Sequence, residues 1–564
     1  MLLSISQFWQ EHSALAILLC ILVIVIPLLV FYCIKAHRDH PKGLIPAAIA
    51  NMGERFGYYI MNAVLLLFLC SKFGISDAAA GWIYAVFYFL IYVLSLPGGM
   101  IADRTQKYKG TIISGLLAMA IGYALLSIPV FSEGPAGGVS WVLVFTCFAL
   151  FIIAFGNGLF KGNLQAIVGQ LYDNFEAEAA KKGPKELEIA KSRRDSGFQI
   201  FYVFINIGGL IAPFVAPLLR SWWLGENGLA YNADLPALCH QYLSLTDSMD
   251  TQNLNNLYAL ITATGGSVIQ GNVESVSAFC TKYLNIFNTG IHYSFIASVF
   301  AMLLSLTIFL LTKKGLPSPA KKEKGNTITI TAEEKRAMAA DIKKRMGALF
   351  AVLGIAIFFW FSFHQNGTSL SLFARDFVVT KSVAPEIWQA LNPFYVIILT
   401  PLVMMVFSAL SRRGKEISTP KKIAIGMGLA SIAYLFLVVI SWIHGYPSAE
   451  AFKALPTETS EALKSGPWVL FVLYFFLTVA ELFISPLGLS FVSKVAPKHL
   501  QGLCQGLWLG ATAVGNLLLW IGPLIYNACP IWVAWTVFLS VCLISMGVMF
   551  GMVNWLEKVT DDKA

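Results

Sequence analysis

Apolar residues recur along this chain in runs of roughly 20, the length an α-helix needs to cross the hydrocarbon core of a bilayer. About thirteen such runs centre on residues 14–34, 43–71, 79–101, 111–130, 140–170, 196–219, 289–312, 347–372, 385–409, 422–444, 467–493, 501–526 and 530–555. Each predicts a transmembrane helix, so the fold class is an all-α membrane protein. Two of the polar segments between runs are long, 221–288 and 313–346. The second half of the latter, "TAEEKRAMAADIKKRMG", has the pattern of an amphipathic surface helix with Thr331 as its N-cap. Setting the first run aside leaves twelve, which the second long segment divides into six and six. The expected organisation is an extra N-terminal transmembrane helix (1–36), an N-terminal six-helix bundle (43–312) carrying the 221–288 loop, a cytoplasmic linker (313–346), a C-terminal six-helix bundle (347–556) and a cytoplasmic tail (557–564).

Composition agrees with that pattern. The 564 residues are 57% hydrophobic and 13% charged, about half the charged share of a typical soluble chain. So many long runs cannot all be the core helices of a soluble enzyme. Lys and Arg crowd into alternate segments: "HRDHPK", "DRTQKYKG", "AAKKGPKELEIAKSRR", the 313–346 linker, "SRRGKEISTPKK" and "SKVAPK". The positive-inside rule assigns these to the cytoplasm and places the N-terminus and the 221–288 loop on the other side of a cell (inner) membrane. That asymmetry accounts for the net charge of +9 without a nucleic-acid partner. The run at 14–34 lacks a basic start and exceeds the usual apolar core of a signal peptide, so it reads as a helix of the protein. No G-x-x-x-x-G-K-[ST] loop is present, which argues against an ATP-driven pump. No nucleophile–base set or metal cluster stands out, so neither an enzyme nor a metal or organic cofactor is expected. Most of the nine cysteines fall within runs, but Cys239 and Cys280 share the non-cytoplasmic loop, as a disulfide or as two free thiols. His37 and His40 of "HRDH" read as solvated juxtamembrane side chains rather than metal ligands.

A charge at the bilayer centre costs several kcal/mol, so its presence there points to function. Four stand inside runs: Glu54 and Arg55 of "NMGERFGYYIMN", Lys161 of "GNGLFKGNLQAIVGQLY" and Glu481 of "VAELFISPLGLSFVSK". Two acids and two bases suit ion pairs whose partners exchange. Helical spacing puts Asn51, Glu54, Arg55, Tyr58 and Asn62 on one face, which must meet a cavity or another helix rather than lipid. Tyr202 and Asn206, Trp360 and His364, and Asn392 beside Pro393 are further polar positions within runs. Each alone reads as packing glue, and together they describe a polar, aromatic-lined chamber. A proline break frees backbone groups to hold a ligand or reshape a gate.

The six-plus-six layout resembles the major facilitator superfamily, whose binding site lies between two bundles. "GGMIADRTQKYKG" resembles its G-x-x-x-D-R/K signature through Gly99, Asp103 and Arg104. Four further stretches resemble the proton-dependent oligopeptide transporters of that superfamily: "NMGERFGYY", "GNGLFKGN", "RDSGFQIFYVFINIGGLIAP" and "ELFISPLGLSFVSKVAPKHLQG". The resemblance implies a major facilitator fold of two six-helix bundles (12 core transmembrane helices) plus the extra N-terminal helix. It implies proton-driven import of di- and tripeptides by alternating access, with the bilayer and the peptides as partners, protons as coupling ion and a monomer as the working unit. It places Glu481 at the peptide's amino terminus and Arg55 and Lys161 at its carboxylate. Asn206 and Asn392 would hold its backbone, Tyr58, Tyr59, Tyr92 and Trp360 would line side-chain pockets, and Ser485 would lie near a gate.

Departures from the family pattern bear on coupling. Asn51 stands where the first Glu of the E-x-x-E-R motif is usual, and Gly162 replaces the Pro after the fourth-helix Lys. Asn62 and His364 occupy the positions of an Arg and an acid that close the outer gate in relatives. Both members of that pair have changed together, which avoids a lone buried charge. Proton handling therefore falls to Glu54, Arg55, Lys161, Glu481 and the replaced positions. His364 is the favoured carrier, since its ordinary pKa of about 6.5 suits the task. The alternatives are a facilitator without tight coupling, a carrier of other amine-bearing solutes and a peptide sensor on a transporter fold.

Overall fold

A computed structural model describes residues 13–131, 140–245, 249–317, 332–379, 383–413, 417–495 and 501–561. Among them, thirteen segments are helical, long and apolar enough to cross a membrane, and no strand occurs. Residues 318–331 of the linker, Thr331 among them, lie outside the described residues, as do residues 1–12 of the first predicted helix.

The first helix, α1 (Ser13–Asp39), lies along the fifth core helix and presents Val23, Ile24, Phe31 and Ile34 outward. The N-terminal half follows as α2 (Leu44–Phe73), α3 (Asp77–Val93) with α4 (Ser95–Thr105), α5 (Tyr108–Ser127), α6 (Trp141–Ala180) and α7 (Pro184–Glu226). Two short helices, α8 (Leu235–Leu245) and α9 (Thr251–Ala263), then precede α10 (Val273–Thr312), which closes this half. The C-terminal half opens with α11 (Ala332–Phe363), a 3-10 turn at His364–Gly367, and α12 (Ser369–Asp376). A 3-10 turn (Pro385–Ala390) leads into α13 (Leu391–Arg412), and α14 (Thr419–Ile443) follows. Next come the short α15 (Ala449–Lys453) and α16 (Thr457–Leu463), then α17 (Trp468–Val495), α18 (Gln501–Leu517), α19 (Ile521–Ala528) and α20 (Ile531–Asp561). The two halves meet where α3 packs on α18 and α19, and where α7 packs on α13 and its leading turn.

Local chemistry sets several boundaries. Ser76 caps α3 by accepting from the Ala79 amide, Ser140 caps α6 through Leu143, and Asp250 caps α9 through Gln252. Gly74 ends α2 in the left-handed conformation that glycine adopts without penalty. Close helix contacts need missing side chains. A Cβ on Gly98 would lie 2.2 Å from the Gly158 carbonyl oxygen, so α4 and α6 touch backbone to backbone.

The segment expected as the 221–288 loop is mostly helix. Helix α7 continues to Glu226 and α10 starts at Val273, leaving a shorter insert that folds as α8 and α9. The amphipathic linker helix is not separate either, because α11 runs unbroken from Ala332 into the seventh core span. His40 is buried rather than solvated, with Nδ1 2.8 Å from the Tyr172 hydroxyl; the chain turns inward there as α2 begins. The His37 side chain lies outside the described residues. Cys239 and Cys280 are buried neighbours with their thiols within hydrogen-bonding reach, and they stand as free thiols rather than a disulfide.

Candidate functional site

The polar stripe of α2 faces inward over its whole length, for Asn51, Glu54, Arg55, Tyr58 and Asn62 are all buried. Within it, Arg55 donates from both Nε (2.6 Å) and a terminal nitrogen (2.8 Å) to the two oxygens of Glu54. Asn157 of α6 adds a third donor to Glu54 at 2.7 Å. The Arg55 guanidinium also lies over the Tyr58 ring, 4.7 Å from its centroid. Glu54 and Arg55 thus satisfy each other, and Asn51 takes no part in that pairing.

Two charges remain. Lys161 of α6 lies 4.4 Å over the Tyr92 ring and has no ion partner among the described residues. Glu481 of α17 accepts from Asn392 of α13 at 2.8 Å and likewise has no cationic partner among them. They come from opposite halves. Tyr59 and Tyr92 lie between, within electrostatic range of both the Arg55 guanidinium and the Glu481 carboxylate. Lys161, Glu481, Tyr59, Tyr92 and Asn392 lie deep in the fold, yet each keeps part of its surface accessible.

The aromatic wall continues to His364. Its ring stacks on Trp360 at 4.8 Å and meets Tyr88 edge-on at 5.0 Å. Asn62 does not bond His364. Its amide oxygen accepts from Tyr84 (2.9 Å) and Tyr58 (3.3 Å) instead, and His364 Nδ1 lies 2.5 Å from Asn516 Oδ1 of α18. The contacts above do not include Asn206, Ser485 or the signature loop. Asn206 turns back to donate to the Tyr202 carbonyl of its own helix. Ser485, one turn beyond Glu481, is half-buried. In the signature loop, Asp103 accepts from Tyr108, Arg104 is exposed and Gly99 borders open space; Gly98 makes the close approach.

Sequence reasoning missed a second set of charges, at the end of the bundles that carries the α8–α9 insert. Arg220 of α7 and Glu386, both about 1% exposed, pair at 2.7 Å across the two halves. Asp77 at the start of α3 meets Arg375 of α12 at 3.2 Å and Lys453 of α15 at 2.9 Å, and Arg375 also pairs with Asp376. The insert reaches over the seam as well. Asn256 donates to the Leu455 carbonyl at 3.0 Å, and Asp234 lies 3.9 Å from Lys464. Burial pushes the Asp234 carboxyl up from its ordinary range. Burial also disfavours the Lys464 ammonium, but the Asp234 and Glu461 carboxylates outweigh it and hold Lys464 above its usual value. A cavity of about 730 Å³ lies among these groups, and none of Arg55, Lys161 and Glu481 lines it. One signal could have found the set, because Arg220 and Arg375 end apolar runs on the side where basic residues are scarce.

Comparison with known proteins adds three findings. Residues 109–527 match the family model described as PTR2, the POT family. Dipeptide and tripeptide permease B of Yersinia enterocolitica is 26% identical over 493 residues, 85% of each chain. The protein of the same name from Shigella dysenteriae is 27% identical over 546 residues, covering 92% of this chain and 96% of its own. Among solved structures, a POT family transporter in complex with a thioalcohol conjugated peptide aligns with a TM-score of 0.63 at 20% identity, covering 93% of this chain and 98% of that one. The likeness extends to the fold of two six-helix bundles.

Proposed function

Because this chain belongs to the POT family, a family of membrane transporters rather than enzymes, we propose that it imports di- and tripeptides by alternating access, driven by protons. One observation carries the reading. Lys161 and Glu481, the chamber charges without ion partners among the described residues, stand on opposite halves with aromatic rings between them. A peptide zwitterion offers a carboxylate to one and an ammonium to the other, and both bonds are made only when the two halves close around it. Arg55 is held by Glu54, so Lys161 is the first anchor for the carboxylate. Asn392 steadies the Glu481 carboxylate, and the tyrosines and Trp360 offer unspecific apolar contact to varied side chains. The basic linker side is cytoplasmic on this reading, so the closed insert end faces outward. His364 takes the place of the acid usual in relatives and carries the proton.

The test uses purified protein in proteoliposomes with a labelled dialanine and an entrapped pH-sensitive dye. Uptake should acidify the lumen. Glu481→Gln and Lys161→Gln each remove a charge-assisted hydrogen bond worth about 1.5–3 kcal/mol, so KM should rise roughly 10- to 150-fold. Flux without proton movement, unchanged in His364→Ala, would make the protein a facilitator, for which the replaced Asn51 and Asn62 leave room. Binding without any counterflow would make it a sensor.

A further inference from the structure

We propose that Asn516 is the positioning residue for His364: its amide oxygen holds Nδ1, turns Nε2 toward the chamber as the proton-accepting atom, and fixes the ring at the hinge of the seventh core helix. The proposal rests on His364 being the proton carrier and adds what sets its ring and tautomer.

Four observations support it. First, the bond from His364 Nδ1 to Asn516 Oδ1 is 2.5 Å long and buried. A donor at Nδ1 leaves the lone pair on Nε2, because the partner of one ring nitrogen decides which nitrogen bears the proton. An amide oxygen accepts from neutral imidazole and imidazolium alike, so the bond survives proton uptake. Nε2 has no hydrogen bond to any described residue.

Second, Asn516 is fully buried and its Nδ2 has no hydrogen-bond partner among the described residues. An unmet buried donor costs about 1–3 kcal/mol. The amide therefore bears that cost while its oxygen serves His364, an arrangement that packing alone does not call for. Third, α18 comes close enough only because residue 515 is glycine. A Cβ there would lie 2.5 Å from the Ile357 carbonyl oxygen and 3.0 Å from Trp360 Cβ on α11.

Fourth, His364 opens the 3-10 turn where α11 ends. Three residues on, Gly367 packs against the Tyr84 hydroxyl of the other half; a Cβ there would lie 1.9 Å from it. The short α12 then leads directly to Arg375 and Asp376, which join the cluster around Asp77. A ring that gains a proton at this turn lies one short helix away from the contacts that close the insert end.

The titratable groups facing His364 are Tyr88 and Tyr92 from α3 and Lys161 from α6. Lys161 is the basic group among them, and a charge on it opposes a charge on the ring. A substrate carboxylate bound at Lys161 removes that opposition, so peptide binding and proton binding favour each other.

The experiment is the pH profile of dialanine uptake between about pH 5 and 8.5 in proteoliposomes at constant membrane potential. Asn516→Asp puts a carboxylate beside the imidazolium and should move the half-maximal pH up by one unit or more, as a neighbouring opposite charge does. Asn516→Leu removes the acceptor and should move it down. The upward shift is a gain that a misfolded variant cannot produce. If both variants keep the wild-type midpoint while His364→Gln abolishes the pH dependence, Asn516 does not position the ring and the proposal fails alone. If His364→Gln keeps the wild-type profile, the proton-carrier reading fails and takes the proposal with it.

Discussion

Glu54 shows how much of a buried charge was legible from its neighbours in sequence. Its stripe on α2 follows from spacing alone, and Arg55 beside it suggested an exchangeable pair. In the fold its carboxylate accepts two bonds from Arg55 and one from Asn157. The third donor was illegible because it comes from 103 positions away, and no local pattern marks one asparagine of a transmembrane helix over another. Glu54 is thus paired within the fold, while Lys161 has no ion partner among the described residues. Glu54→Gln leaves Arg55 buried beside a neutral group, and breaking a buried pair in this way costs about 3–5 kcal/mol. Thermal unfolding in detergent should show a clear loss for Glu54→Gln and a partial recovery in Glu54→Gln/Arg55→Met. An unchanged midpoint in the single variant would mean that the pair is not held as described.

At the scale of elements, the hydrophobic runs predicted the helices well and their breaks poorly. The second core span divides at Leu94 into α3 and α4, and the seventh at His364–Gly367. A run of apolar residues records that a segment is buried in lipid or protein; it does not record where the axis bends. Glycine was ambiguous for the same reason. Gly98 and Gly99 are indistinguishable in "PGGMIAD", yet only Gly98 faces another backbone. Gly98→Val should push α4 off α6, with overpacking of at least about 1–3 kcal/mol and a sharp fall in the yield of monodisperse protein. Gly99→Ala meets nothing within 4 Å and should leave that yield and the unfolding midpoint unaltered. Equal effects of the two would contradict the packing.

At the scale of the whole molecule, three ties at the insert end join one half to the other. Arg220 with Glu386, Asp77 with Arg375 and Lys453, and Asn256 with the Leu455 carbonyl must part before that end opens. Replacing both members of a buried pair by apolar residues leaves no orphaned charge. Arg220→Met/Glu386→Leu therefore weakens the closure while sparing the fold. Spin labels on Ser244→Cys and Glu450→Cys, in a background without the native cysteines, sit on opposite halves at the rim of the cavity. Their distance distribution should gain a longer component in the double variant, and an identical distribution would show that this pair does not hold the end shut.

Hydrophobicity, helical period and charge bias are properties of short windows, and windows determined the all-α membrane class, the six-plus-six division, the stripe on α2 and the four charges inside the runs. The packing of the insert, the ion pairs beneath it and the partner of His364 came only from the tertiary fold. Asn157 with Glu54, Asn516 with His364 and Arg220 with Glu386 are separated by 103, 152 and 166 positions. Each pair is made by the docking of whole helices, whose angles and close approaches depend on every side chain between them, so no stretch of sequence carries the information by itself.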